Sequence, residues 1–117
     1  MSHAVDPGQL AEVAAPYGET PFLLYATERG SARANHVRAV PQPGSAEVLI
    51  TGFGRGVLNA IERDAMLSLL WPSPTEGELS LIADGTGEMT DEHNLVLTVT
   101  SAVLHRPAPS GGGSATC

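Results

Sequence analysis

Six β-type runs, each closed by a turn rich in Gly, Pro, Asp or Asn, leave this chain few folds to choose from. The runs are Phe22–Thr27, Ala32–Val40, Ala46–Phe53, Met66–Trp71, Leu79–Glu88 and Asn94–His105, and a single helical pattern, Val57–Arg63, is inserted after the third. Strands in that number with one short helix among them have the order of an antiparallel barrel. The expected fold class is therefore mostly β, with six antiparallel strands and a helix from about Arg55 to Asp64 after strand three.

The punctuation supports this reading. Glu28-Arg29-Gly30-Ser31 supplies hairpin chemistry between the first two runs. Alternation in the second run places Ala34, His36, Arg38 and Val40 on one face and Arg33, Asn35, Val37 and Ala39 on the other. Pro41-Gln42-Pro43-Gly44-Ser45 is a turn, Pro72-Ser73-Pro74 stops the fourth run, and Thr90–Asn94 makes the last hairpin. Gly85 then reads as a bulge within the fifth run, not a turn that splits it. Asp6-Pro7-Gly8-Gln9 has the form of a helix start: an acidic N-cap, proline at the first position and a glutamine able to close a capping box. A short N-terminal helix at about 7–15 follows, with Leu10, Val13 and Ala14 on one face, ended by Pro16 and Gly18. One domain over residues 1–107 and a disordered Gly/Ser-rich tail over 108–117 complete the expected organisation.

With 117 residues the chain has room for one core, yet much of its surface stays wet unless it self-associates. Its net charge is −7, with six arginines and no lysine, so the long-range field repels nucleic acid and anionic membrane. Any anionic ligand must be held by local geometry. The lone cysteine, Cys117, has no partner for an internal disulfide or a thiolate metal site, which fits a reducing cytoplasm. No charged-then-apolar leader follows Met1 and no apolar run is long enough to span a bilayer, so the chain reads as soluble and cytoplasmic.

The segment with the clearest functional content is Thr51-Gly52-Phe53-Gly54-Arg55-Gly56. A glycine-rich turn that enters a helix exposes backbone N–H groups at a helix N-terminus, where an anion is favoured. Arg55 adds a planar donor fork suited to phosphate oxygens. The same residues are also consistent with a plain turn and a solvated arginine. Gly54 and Gly56 are both candidates for a positive φ.

The order of elements, together with Thr51, Gly54-Arg55-Gly56-Val57-Leu58-Asn59, Leu69-Leu70-Trp71-Pro72 and Leu81-Ile82-Ala83-Asp84-Gly85-Thr86, resembles short members of the pyridoxamine 5'-phosphate oxidase-like split-barrel family. The likeness covers about Pro21 to Pro107. It implies a split β-barrel, a homodimer, and FMN or a deazaflavin coenzyme held in grooves between subunits. It also implies a flavin phosphate near Thr51, Gly54, Arg55 and Gly56, with Arg38 as a second cation, and an oxidoreductase whose cofactor performs the hydride chemistry. Flavin-binding relatives usually carry serine where Gly54 stands and lysine where Gly56 stands, so two donors of that pattern are missing. The alternative function is a split barrel that binds flavin, deazaflavin or another phosphate-bearing ligand without turnover.

Other residues are less telling. Trp71 could stack on an isoalloxazine ring or fill the barrel end against Pro72. His36 and His105 lack the companions of a metal site and read as surface or hydrogen-bonded residues. Asp84 reads as a solvated strand residue that blunts an edge. No Ser/His/Asp arrangement supports a hydrolase, and no catalytic residue is assigned.

Overall fold

The computed structural model describes residues 2–75 and 77–106; the tail at 108–117 lies outside them. Its strands are β1 (Ser2–Val5), β2 (Phe22–Ala26), β3 (Ala32–His36), β4 (Arg38–Pro41), β5 (Glu47–Thr51), β6 (Leu67–Trp71), β7 (Ser80–Met89) and β8 (Leu95–His105). Two α helices, α1 (Leu10–Ala14) and α2 (Arg55–Glu62), join them. The strands form one curled antiparallel sheet, a half-barrel, in the order β3-β2-β6-β7-β8-β5-β4, with β1 beside β8. The mostly-β antiparallel class is as expected. The count of six strands is not.

Two differences account for the count. The run Ala32–Val40 divides at Val37, so that β3 pairs with β2 while β4 pairs with β5. The two end strands of the sheet are thus consecutive in sequence and meet at one residue, which is how a single sheet curls back on itself. Inside–outside alternation runs through the break unaltered, with Val37 and Ala39 buried and His36 and Arg38 exposed. The other addition is β1, which lies along β8 from Ala102 to His105, beyond the stretch that pairs with β5.

The N-terminal helix starts as expected: Asp6 Oδ1 accepts from the Gly8 N–H at 3.0 Å and Pro7 opens the first turn. The turns over Pro7–Gln9 and Ala15–Tyr17 are 3₁₀, however, and only Leu10–Ala14 is α-helical; Gly18, at φ 86°, ends the segment. Leu10 and Ala14 are buried.

The core follows from strict alternation. Leu67, Leu69 and Trp71 of β6, Leu81 and Ala83 of β7, and Leu95, Leu97 and Val99 of β8 point to the concave side, where Val57 and Ala60 of α2 join them. Each large apolar side chain so removed from water contributes about 1.5–3 kcal/mol. Gly85 marks a shift of register: Asp84 faces Ser101 but Gly85 faces Val99, leaving Thr100 as the extra residue. The bulge read from Gly85 is therefore present, with its extra residue on the partner strand. Because β7 lies between β6 and β8, Asp84 blunts no edge. It is half-buried and accepts a hydrogen bond from the Ser68 hydroxyl. In the turn between β7 and β8, the His93 backbone N–H and then the Asn94 side chain hold the Asp91 carboxyl below its ordinary pKa.

Candidate functional site

The glycine turn joins β5 to α2. Gly52 carries the positive φ, 83°, and a Cβ built there comes within 3.9 Å of the Arg38 backbone nitrogen. Gly54 is the N-cap of α2 at φ −101°, with open space around it, so neither Gly54 nor Gly56 needs left-handed backbone. Among the described residues no side chain caps the first turn. A glycine N-cap has no side-chain oxygen to offer; its carbonyl accepts from the Val57 N–H at 3.2 Å, and the N–H groups before Val57 are left for water or an anion.

Of the residues singled out in the sequence, Arg38 and Thr51 are brought together as register partners at the ends of β4 and β5. The Arg38 guanidinium donates to Glu19 Oε1 at 2.9 Å, an ion pair with side chains 65% and 50% exposed. Such a surface pair is worth about 0–1 kcal/mol and is readily exchanged for a stronger anion. Arg55 is exposed at the first position of α2. Gly56 is drawn elsewhere: a Cβ there would collide with the hydroxyl of Tyr25 and lie 2.9 Å from its Cζ. Trp71 is 1% exposed, and its indole N–H donates to the Gly18 carbonyl at 3.1 Å. Both of its faces are committed to the core, in keeping with the packing role.

A groove of 560 Å³ opens on the far side of the first turn of α2, lined by Tyr25, Arg29, Arg33, Gly56, Asn59 and Arg63 among others. The concave face of β2 continues from buried Leu23 to Tyr25, and that of β3 runs from buried Val37, just past its end, back to Arg33, so the groove begins where the core ends. The hairpin between these strands is fixed by Thr27 N–H to Ser31 carbonyl and Gly30 N–H to Thr27 carbonyl bonds, both 2.8 Å, with Gly30 at φ 83°. Arg33 Nη1 donates to the Ala32 carbonyl at 3.1 Å and Arg63 Nη2 to the Ala26 carbonyl at 3.0 Å. Glu28 approaches Arg63 at 3.9 Å.

This groove was not among the sites read from the sequence. Two signals for it are there: the hairpin places Tyr25 opposite Arg33, and Gly56 and Asn59 of α2 recur at helical spacing with Arg63, its C-cap. What joins the two sets is tertiary packing.

His36 and His105 are hydrogen-bonded as expected, His36 Nε2 to the Thr20 carbonyl at 2.8 Å and His105 Nδ1 to the Ser2 hydroxyl at 3.1 Å. Among the described residues no group of three or more His, Cys, Asp or Glu side chains could hold a metal ion. No family model matches the chain, and no curated protein does.

Proposed function

We propose that this chain is a split-barrel protein that binds FMN, or alternatively a deazaflavin coenzyme, at the corner made by the start of β4, the end of β5 and the N-terminus of α2. On this reading it acts as a flavin-dependent oxidoreductase of the pyridoxamine 5'-phosphate oxidase-like family, and the bound flavin supplies the hydride chemistry. The observation that carries the reading is the register pair Arg38 and Thr51 beside a helix whose first turn no side chain caps. Arg38, Thr51, Arg55 and the N–H groups at Gly54 and Arg55 would hold the phosphate, with Glu19 giving up Arg38 to it. The antiparallel half-barrel and the resemblance of the turn to that family's sequences support the same assignment.

A second reading, a binding protein without turnover, is favoured by one feature. The Tyr25 hydroxyl occupies the place that a side chain at position 56 would need, so the cation supplied there in flavin-binding relatives has no equivalent. On either reading Arg55→Ala should weaken FMN binding by about 1.5–3 kcal/mol, the range for a hydrogen bond to a charged group. Gly54→Ser, at a position with open space and ordinary φ, should strengthen it. Fluorescence titration of FMN into the wild type and both variants checks this. Unchanged affinity in both would remove the phosphate from this corner.

The proposal includes a homodimer and a cytoplasmic setting. Among the described residues, no helix is long and apolar enough to cross a membrane. On the convex face of the sheet, Phe22, Leu70, Ile82, Val103 and Ala4 lie side by side as register partners on five successive strands. Phe22 is 37% exposed. A continuous apolar row across a sheet is suited to the same row on a second copy of the chain. Ile82→Arg, at the centre of the row, is therefore expected to convert a dimer into a folded monomer in light scattering at micromolar concentration. A wild-type protein that is already monomeric there would contradict this.

A further inference from the structure

We propose that the arginine-lined groove between the β2–β3 hairpin and α2 is a second anion site, separate from the corner at Arg38 and Thr51, and that it takes a small phosphate or pyrophosphate group.

Charge distribution is the first argument. The chain carries net charge −7 and only six arginines, yet Arg29, Arg33 and Arg63 all line this one groove. Scattered at random over an acidic surface, cations would pair with the nearby carboxylates. Here, among the described residues, only Arg63 has one, Glu28, at 3.9 Å and with the Glu28 side chain 79% exposed.

The second argument is donor supply. The bonds from Arg33 and Arg63 to the Ala32 and Ala26 carbonyls fix their side chains while engaging one N–H each. A guanidinium has five N–H donors, so most remain to point at a guest. Tyr25 adds a phenol hydroxyl at the groove wall beside Gly56. Asn59 and Ser31 add neutral donors. An oxyanion with several lone pairs satisfies such a set best, and the planar forks suit phosphate oxygens in particular. The overall negative field disfavours an extended polyanion, which restricts the guest to a compact head group. None of the residues proposed to hold a flavin phosphate at the corner lines this groove. The groove site stands whether or not a flavin binds at the corner.

The test is calorimetric titration of pyrophosphate into the full chain in a phosphate-free, low-salt buffer. Binding is expected, weakening as salt rises. Arg33→Ala and Arg63→Ala should each lower the affinity about tenfold or more, and Tyr25→Phe by a smaller factor. Glu28→Gln, which removes the competing carboxylate, should raise it about two- to threefold. Arg106→Ala, which removes an exposed arginine that lines neither the groove nor the corner, should leave pyrophosphate unchanged. Arg63→Ala also loses the bond to the Ala26 carbonyl, so Arg33→Ala, which gives up only a contact to its own neighbour, is the deciding variant, with its melting temperature checked. The site is overturned if the wild type takes up no pyrophosphate, if Arg33→Ala binds it as well as the wild type, or if Arg106→Ala is as damaging as Arg33→Ala.

Discussion

Gly85→Val is expected to cost at least about 3 kcal/mol and to lower the melting temperature by roughly 10–20 °C. A Cβ at position 85 would overlap the Thr98 carbonyl oxygen and lie 2.8 Å from the Thr98 carbonyl carbon and 3.0 Å from the Val99 Cα. All three are backbone atoms of β8, the strand at which β7, β5 and β1 all pair. They cannot swing aside as a side chain would. Relief requires either losing the bulge at Thr100 or parting β7 from β8, and both disturb the concave face that carries Leu95, Leu97 and Val99. Gly87→Ala is the control. Its Cβ meets the Leu67 and Leu95 methyl groups at 2.8 and 2.9 Å, which can shift by rotation, so it should cost clearly less. Thermal melts followed by circular dichroism give both values, and equal costs at the two positions would contradict the bulge account.

Trp71→Ala is expected to cost about 3–5 kcal/mol, the range for deleting a fully buried large aromatic side chain. Trp71 is 1% exposed, and its indole N–H ties β6 to the Gly18 carbonyl, where the N-terminal helical segment ends. Trp71→Phe separates the parts, because it keeps most of the packing and loses the hydrogen bond, worth about 1 kcal/mol. Denaturant melts of the three proteins measure this. If the change to phenylalanine were as costly as the change to alanine, the hydrogen bond and not the packing would be the larger contribution.

How far the sequence foretells the structure depends on whether each feature has a local cause. The hairpin at Thr27–Ser31 was readable because Gly30 must take a positive φ, and the β7–β8 turn because Asp91 receives the N–H groups of His93 and Asn94. The core stripe of α2 was readable only in part: of Val57, Leu58 and Ile61, which the pattern marks as its apolar face, Val57 is buried while Leu58 and Ile61 are half-buried, and Ala60 takes the second core position. The break at Val37 was not, since the residues alternate inside and outside without a fault and only the hydrogen-bonding neighbour changes from β2 to β5. Nor was β1, a four-residue strand with only Val5 half-buried, whose existence depends on an unoccupied stretch of β8 a hundred residues away.

The candidate site divides in the same way. The glycine turn and the nearness of Arg38 to Thr51 follow from strands and turns that are local in sequence. The reasons for its individual glycines do not. Gly52 serves the backbone turn, whereas Gly56 is required by the Tyr25 hydroxyl, which belongs to a strand thirty residues earlier. The absence of a side chain at position 56 thus has a packing cause as well as a consequence for binding. The groove of Arg29, Arg33 and Arg63 could be assembled only once the hairpin and α2 were placed side by side.

The most direct test of the central claim, that this corner recognises the phosphate of a flavin, is a paired titration of the purified protein with FMN and with riboflavin, which lacks the phosphate. FMN is predicted to bind about 10- to 100-fold more tightly, the factor that corresponds to one charge-assisted hydrogen bond or slightly more. Equal affinities, or no binding of FMN at all, would contradict it.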